Sequence, residues 1–226
     1  MDLSILGIYG FLAIILGSII YFVIVVTNNE IKMKQDIIDY CKKNNLKYFE
    51  KAKNIPAVAK GFSLININEH NYLDEMSGTR GNFTIDVFDY SYVSGSGKQS
   101  HYIVNTICVV KGNNIKMPKF FIRDKKALID SLGKLFGGQD IIFTEDTTFS
   151  NKFVLQGNSE PSIKEFFNSK IRATFSNNHI PEYKYEGDQD CFMLSAPRKL
   201  ALNERINLIS MAMNIFKEFD NSTNEA

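Results

Sequence analysis

The chain has 226 residues, of which 26 are lysine or arginine and 25 are aspartate or glutamate, giving a net charge of +1. Its basic residues are dispersed, which argues against nucleic acid as a partner, because a nucleic-acid-binding domain concentrates positive charge on one face. The three cysteines, Cys41, Cys108 and Cys191, are far apart and odd in number, so the sequence predicts neither a zinc site nor a disulfide framework.

The segment from Leu3 to Val26 contains no charged residue. As a helix rising about 1.5 Å per residue it would be roughly 36 Å long, enough to cross a hydrocarbon core of about 30 Å. A cleaved signal peptide has a basic start, a shorter apolar stretch and a small-residue cleavage site. Met1-Asp2 and the residues before Thr27 offer none of these. We therefore predict an uncleaved transmembrane helix over residues 3–26, with the lipid bilayer as its partner.

The orientation of this anchor in the membrane can be predicted from the lysines around it. No lysine precedes the anchor, and four follow it closely, namely Lys32, Lys34, Lys42 and Lys43. The positive-inside rule counts lysine and arginine close to the membrane. It predicts an N-terminus outside the cell and a soluble domain in the cytoplasm. Free cysteines agree with this compartment, because the cytoplasm is reducing.

Small residues recur along the predicted spanning helix. Gly10, Ala13 and Gly17 share one helical face, and small residues on such a face let a second helix approach closely. The alternative is that glycine is simply common in spanning helices. Self-association of two chains through this face is therefore one expectation, and it would make the protein a homo-oligomer.

A juxtamembrane helical segment is predicted over residues 28–59. From Asn28 to Asn44, apolar residues recur at helical intervals among lysines and acids. Asn44-Asn45 suits the end of a helix, because asparagine tolerates the left-handed conformation. A second amphipathic piece is predicted over residues 46–59, broken at Pro56.

A soluble domain over residues 60–220 begins with a β-rich half. Strands are predicted where β-branched and aromatic residues are dense, over residues 61–68, 82–92 and 101–110. The glycine-serine loop at residues 94–98 joins the last two strands into an antiparallel hairpin.

The second half of the domain repeats one pattern three times, in which a short apolar strand precedes an amphipathic helix. The strands are predicted at residues 120–122, 153–155 and 192–194, and the helices at 125–136, 162–175 and 200–219. A flexible tail is expected at residues 221–226. These elements predict an α+β fold, with a mostly antiparallel sheet, helices packed on one face and a long C-terminal helix.

No catalytic, cofactor-binding or metal-binding residue is predicted. The loop from Ser94 to Gln99 resembles a phosphate-binding loop, but it joins two strands and lacks the serine or threonine that should follow Lys98. A turn is the better interpretation. His101 facing Asp86 or Asp89 across the hairpin is the one catalytic arrangement that the sequence allows.

Three aromatic residues, Phe88, Tyr90 and Tyr92, alternate along one face of a predicted strand. Amphipathic rings in this arrangement suit a surface that contacts a protein partner. The alternative is that they pack in the core beneath the C-terminal helix.

An ordered series of short motifs follows Phe62 along the chain. The motifs are Phe62-Ser-Leu-Ile-Asn, Val87-Phe-Asp-Tyr-Ser-Tyr, Gly95-Ser-Gly-Lys98, Asn105-Thr106, Met117-Pro-Lys-Phe120, Phe136-Gly-Gly-Gln-Asp140-Ile, Phe149-Ser150 and Leu155-Gln-Gly157. In these motifs the chain resembles, over about two-thirds of its length, a family of bacterial membrane-anchored proteins of undetermined activity. The resemblance implies an N-terminal apolar segment and contributes no mechanism.

These observations favour a single-pass membrane-anchored protein whose soluble domain is a non-catalytic binding or scaffold module for a protein partner. Two alternatives stay open. One is a membrane-tethered hydrolase that uses His101 with a nearby carboxylate. The other is a small-molecule or lipid sensor, which would need an apolar cavity between the sheet and the helices.

Overall fold

The computed structural model describes residues 3–51, 56–65, 70–95, 97–113, 115–126 and 140–224. The chain divides into two compact units, Met1–Tyr40 and Cys41–Ala226. Within the described residues, the first unit is helical, and the second holds a sheet with several helices and a long C-terminal helix. The predicted α+β fold class is confirmed.

The N-terminal helix α1 runs from Leu3 to Lys43 without a break at Thr27. Its described part from Phe11 onwards contains an 18-residue window of mean hydropathy 2.4. The hydroxyls of Ser18 and Thr27 donate to backbone carbonyls of the preceding turn at 2.8 and 2.9 Å. These polar groups therefore need no partner in hydrocarbon. The helix is long and apolar enough to span a membrane, which fits an anchor.

Helix α1 ends at the asparagine pair that the sequence indicated. Asn45 has a φ of +54°, in the left-handed region. The backbone N–H groups of Asn44 and Leu46 both donate to the carbonyl of Cys41, at 3.2 and 2.9 Å. This arrangement satisfies a carbonyl that the last turn would otherwise leave unpaired.

Among the described residues the sheet has eight strands, each antiparallel to its neighbours, in the order β1-β2-β3-β4-β8-β7-β5-β6. The strands are β1 (Lys47–Lys51), β2 (His70–Arg80), β3 (Phe83–Ser94), β4 (His101–Lys111), β5 (Met117–Asp124), β6 (Phe153–Gly157), β7 (Lys184–Gln189) and β8 (Cys191–Ala196). The predicted hairpin is the pair β3 and β4.

The helices of the second unit are α2 (Thr147–Lys152), α3 (Glu160–Phe166), α4 (Ser169–Asn177) and α5 (Leu202–Asn224). Phenylalanines join them to one face of the sheet. Phe120 of β5 lies with its ring centroid 4.8 Å from that of Phe167, and Phe192 of β8 lies 5.4 Å from Phe219 of α5. Edge-to-face contacts of this kind add to the free energy of burying the rings.

Two short 3-10 turns, Ala57–Ala59 and Ser63–Ile65, pack against the opposite face of the sheet. Glu186 of β7 fastens the second turn, because its carboxylate accepts from the backbone N–H of Ser63 at 2.8 Å and from its hydroxyl at 3.0 Å. Burial raises the pKa of Glu186, and these hydrogen bonds oppose that shift.

Two predictions for the first part of the domain are wrong. Residues 47–51 form the strand β1 rather than part of a helix, because Tyr48 and its neighbours pair with β2. The predicted strand at 61–68 contains a 3-10 turn, and the strand lies later, at β2. A short apolar run suits a buried turn as well as it suits a strand, so periodicity alone could not separate them.

The later helices also differ from their prediction. The segment expected as one helix over residues 162–175 is two. Helix α3 ends at Phe166, and Asn168 caps the start of α4, where its side chain accepts from the N–H of Ile171 at 3.0 Å. Helix α5 continues to Asn224, beyond the expected end at Phe219. Most of the helix predicted at 125–136 lies outside the described residues.

Candidate functional site

The pairing of β3 with β4 rules out the arrangement suggested for His101. Ser94 lies opposite His101, whereas Asp89 lies opposite Thr106, five residues further along β4. Five residues of strand span about 17 Å. Asp86 is further still. Neither carboxylate can therefore reach His101, so the alternative of a catalytic pair across the hairpin is excluded.

The aromatic face of β3 is core rather than an open surface. Phe88 and Tyr90 are 0% exposed and belong to a cluster with the two 3-10 turns. Tyr92, at the edge of this cluster, is half-buried. Because a partner surface needs accessible side chains, Phe88 and Tyr90 do not provide one. The packing alternative holds, although the cover is the 3-10 turns and not the C-terminal helix.

The small residues proposed for helix packing lie on α1 as expected. Apart from the adjacent backbone of α1 itself, no atom of the described residues lies within 4 Å of the position that a Cβ on Gly17 would take. This leaves room for another helix, and self-association through Gly10, Ala13 and Gly17 stays a prediction.

Asp89 has a structural partner. Its Oδ2 lies 2.6 Å from Nη2 of Arg205, a residue of α5 that is 0% exposed. Its Oδ1 accepts from the Thr106 hydroxyl at 2.7 Å, and Lys199 Nζ is 3.7 Å away. Burial raises the pKa of Asp89, and Arg205 opposes that rise. This carboxylate therefore joins α5 to the sheet.

The described residues form a cleft of about 770 Å³ beside the end of β5. Its walls come from the end of β5, from α2, from the loop after α4, from the start of β7 and from the loop after β8. The side chains that line it are Asp124, Lys126, Thr148, Asn151, Lys152, His179, Pro181, Glu182, Lys184 and Pro197. The volume lies in the range of small-molecule sites.

A histidine-aspartate pair lies in this cleft. His179 Nε2 and Asp124 Oδ2 are 2.6 Å apart, with side-chain exposures of 16% and 8%. The Phe153 ring meets the imidazole edge-on, with centroids 4.9 Å apart. The other carboxylate oxygen of Asp124 accepts from the backbone N–H of Lys126 at 2.6 Å. Both oxygens are thus engaged, and the pair is fixed in position.

One arginine holds the walls of the cleft together. Arg172 of α4 contacts Asp146 at 2.9 Å and Glu145 at 3.5 Å, and it donates to the carbonyl of Phe167 at 2.8 Å. Asp146 is the N-cap of α2, where its side chain accepts from the N–H of Phe149. That hydrogen bond and Arg172 hold the pKa of Asp146 below its usual value. The positions of α2 and α4 are therefore coupled.

Among the described residues that line the cleft, three are cationic and two are anionic. The lysines are Lys126, Lys152 and Lys184, and the acids are Asp124 and Glu182. Lys152 Nζ donates to the carbonyl of Ser176 at 3.1 Å. An ammonium group has three protons, so this contact orients the group without using all of its donors.

The arrangement around His179 differs from a nucleophilic active site. Among the described residues, its hydrogen-bond partner is Asp124, and no serine, threonine or cysteine side chain bonds to its second ring nitrogen. A triad needs that third group. The described residues contain no group of three or more histidine, cysteine, aspartate and glutamate side chains placed to hold a metal ion.

Sequence analysis missed this cleft. His179 and Asp124 are 55 residues apart and belong to no motif. The available signal was weak, namely polar residues directly after the apolar strand at residues 120–122. Only the antiparallel pairing of β5 with β7 brings the two segments together.

No protein-family profile and no curated protein sequence matches the chain. Among solved structures, the chain is similar to the crystal structure of TtfA, the mycobacterial trehalose monomycolate transport factor A. The TM-score is 0.55 at 6% sequence identity, and the match covers 84% of this chain and 93% of that one. At this identity the likeness shows a shared fold.

Proposed function

We propose that the protein is a single-pass, membrane-anchored and non-catalytic module that assists the transport of an amphiphilic molecule at a bacterial cell membrane. The observation that carries the proposal is the helix α1, which is long and apolar enough to span a membrane and belongs to the same chain as the folded domain. The soluble domain would lie in the cytoplasm, as the lysines after the anchor indicate.

Two further observations support this function. The shared fold belongs, in TtfA, to a protein described as a transport factor for trehalose monomycolate, a glycolipid. The histidine-aspartate pair lacks a nucleophile among the described residues, and the hydrolase alternative at His101 fails on distance. An accessory role in lipid transport therefore fits better than hydrolysis.

The surface for a protein partner would lie at the tip of the β3–β4 hairpin. Val93 and Tyr102 face each other across the two strands and are 48% and 63% exposed. The Tyr102 hydroxyl donates to Ser91 Oγ at 2.7 Å, so the ring is held in place. Ordered, exposed aromatic side chains are frequent centres of protein interfaces.

The experiment uses a bacterium that carries the gene, from which the gene is deleted. The deletion strain receives the full chain, a chain lacking residues 2–27, or a chain whose anchor is replaced by an unrelated helix of the same orientation. Pulse-labelled envelope lipids are then followed from the inner membrane to the cell surface. We expect delayed lipid export in the deletion strain, and full rescue by the intact and anchor-swapped chains alone.

Two outcomes would contradict the proposal. Rescue by the chain without an anchor would show that membrane attachment is not part of the function. Unchanged lipid export in the deletion strain would remove the transport role. The variant His101→Ala should rescue fully, whereas Tyr102→Asp should rescue poorly while the domain stays folded.

The orientation needs its own measurement. A reporter enzyme that is active only outside the cytoplasm, fused after Phe219, should give low activity. A fusion before the anchor should give high activity. The reverse pattern would place the domain on the other side of the membrane.

A further inference from the structure

We propose that the edge strand β1 is a conformational strap, whose attachment to β2 controls the loop at residues 197–201 through Asp74. This loop joins β8 to α5, and its Pro197 lines the cleft beside His179. The proposal gives the cleft a means of control and depends neither on the transport role nor on a particular ligand. It rests on the position of β1 and on the contacts and backbone conformation of Asp74.

Strand β1 is placed where it can detach from the domain. It lies at one end of the strand order and pairs with β2. Its five residues are exposed apart from Tyr48, which is half-buried. Elements with few buried side chains open locally at a small cost in free energy. Because β1 begins four residues after α1 ends at Lys43, a movement of the anchor would reach this strand before the rest of the sheet.

Asp74 of β2 connects β1 to the loop. Its Oδ1 accepts from the Tyr48 hydroxyl at 2.6 Å, and its Oδ2 accepts from Lys199 Nζ at 3.0 Å. Its backbone carbonyl accepts from Nη1 of Arg205, in the first turn of α5, at 3.3 Å. These partners are 26, 125 and 131 residues away in the sequence. One residue therefore joins β1, the loop and α5.

The backbone of Asp74 is in an uncommon conformation. Its φ is +51°, in the left-handed region that residues other than glycine seldom adopt, and it lies in the bulge between Leu73 and Met76. Such residues persist where surrounding contacts hold them, and they cluster at switch regions. Loss of one contact therefore allows the backbone at Asp74 to relax.

Detachment of β1 weakens the ion pair between Asp74 and Lys199. Burial raises the pKa of Asp74, but the hydrogen bonds from Tyr48 and Lys199 hold it below its usual value, so the carboxyl is ionised at neutral pH. Its side chain is 10% exposed, and that of Lys199 is 36% exposed. When Tyr48 leaves, water takes its place beside the carboxylate. An ion pair in contact with water contributes little.

The loop carries this change to the cleft. It is also held at Thr106, whose N–H donates to the carbonyl of Arg198 at 3.1 Å and whose hydroxyl accepts from the N–H of Leu200 at 2.9 Å. A loop held at Thr106 and at Asp74 can pivot about the first when the second is lost. Pro197, two residues before Lys199, would then move in the wall of the cleft.

The test is hydrogen–deuterium exchange of the full chain in maltoside micelles, followed by mass spectrometry of its peptides. Tyr48→Phe removes the hydroxyl that donates to Asp74. Tyr102→Phe is the matched control, because its hydroxyl makes a contact of similar length, 2.7 Å to Ser91 Oγ, at the hairpin tip. Lys199→Met removes the contact of Asp74 at the loop.

We expect Tyr48→Phe to accelerate amide exchange about tenfold in residues 47–51 and 197–201, because a hydrogen bond to a charged group contributes at least the free energy of a tenfold change. Exchange should not change in β6, at the other end of the strand order. Lys199→Met should in turn accelerate exchange in β1, because coupling between two sites is reciprocal.

The cleft itself is followed by NMR of isotope-labelled histidine rings. The His179 resonances should shift in Tyr48→Phe and stay unchanged in Tyr102→Phe, with His101 as an internal control. Unchanged exchange in residues 197–201 of Tyr48→Phe, or in β1 of Lys199→Met, would overturn the proposal. Unchanged His179 resonances, an equal effect of Tyr102→Phe on the loop, or equally faster exchange in β6 would overturn it as well.

Discussion

Replacing Arg205 with methionine tests whether the buried ion pair beneath α5 holds the domain together. The guanidinium donates through Nε to the carbonyl of Leu200 at 3.0 Å and through Nη1 to that of Asp74 at 3.3 Å. Its third contact is the ion pair with Asp89, at 2.6 Å but outside good hydrogen-bond geometry. Methionine fills much of the same space, so the variant mainly removes the charge.

The expected loss follows from what remains around Asp89. This carboxylate is 2% exposed, and without Arg205 its remaining cation is Lys199, 3.7 Å away. Breaking one partner of a buried ion pair costs about 3–5 kcal/mol. Because Lys199 compensates in part, we expect about 3 kcal/mol, and a fall in Tm of about 6–12 °C for a domain of this size.

The measurement is urea and thermal unfolding of the full chain in maltoside micelles, followed by circular dichroism. A double-mutant cycle with Asp89→Asn isolates the ion pair. The double variant should be more stable than Arg205→Met alone, because it no longer buries an unpaired charge. Arg198→Met is the matched control, because Arg198 pairs with Glu204 on the surface. This variant should lose less than about 1 kcal/mol of unfolding free energy.

The pH dependence of stability tests the same ion pair a second time. Burial raises the pKa of Asp89 above its unfolded value, so its contribution to stability is more favourable at low pH and falls as the pH rises. Removing Arg205 raises this pKa further. The loss of unfolding free energy in Arg205→Met, relative to the unchanged chain, should therefore increase from acidic to neutral pH. Two results would refute this reasoning. One is a loss of unfolding free energy below about 1 kcal/mol for Arg205→Met at pH 7, and the other is a double variant whose loss equals the sum of the losses of the two single variants.

Three further predictions concern single positions. The arginine paired with Glu204 and a backbone N–H hold the pKa of this carboxyl at about 2, below its ordinary 4.5. The stabilisation that the Glu204 carboxylate provides is therefore present above pH 4.5 and lost towards pH 2. Because the ion pair is exposed, Glu204→Gln should lower the free energy of unfolding in urea by less than about 1 kcal/mol at pH 7, and should not change it near pH 2. A Cβ at Gly187 would overlap the Phe120 ring, so Gly187→Ala should lower stability by about 1–3 kcal/mol, whereas Gly61→Ala, with its nearest contact at 3.7 Å, should not. Burial raises the pKa of the Cys191 thiol to about 12, so with the other cysteines replaced by alanine its maleimide labelling should rise about tenfold per pH unit; a plateau near pH 9 would contradict this.

Elements with strong local signals were predicted correctly. The hairpin β3–β4 combines dense β-branched and aromatic residues with a glycine loop, and its strands differ from prediction by a few residues at most. Helix α5 shows regular apolar spacing. In both cases neighbouring residues carry the whole pattern, so no distant contact is needed to recognise it.

Elements whose residues depend on partners far away in the sequence were not predicted. Strand β2 contains the buried acids Asp74 and Glu75, which do not look like strand residues. Asp74 accepts from the Tyr48 hydroxyl at 2.6 Å and from Lys199 at 3.0 Å, 26 and 125 residues away. A bulge between Leu73 and Met76 accommodates the acids. Such partners are visible only once the chain has folded.

The sequence alone determined that the N-terminal helix is long and apolar enough to span a membrane, because this property depends on an uncharged run of residues and not on distant contacts. It also determined the fold class and the free state expected of the cysteines. Only the tertiary structure decided which side chains meet. It buried Phe88 and Tyr90, separated His101 from Asp89, and placed His179 beside Asp124. The physical reason is that a charge or hydrogen-bond contact acts over a few ångströms, and strand pairing decides which distant residues come that close.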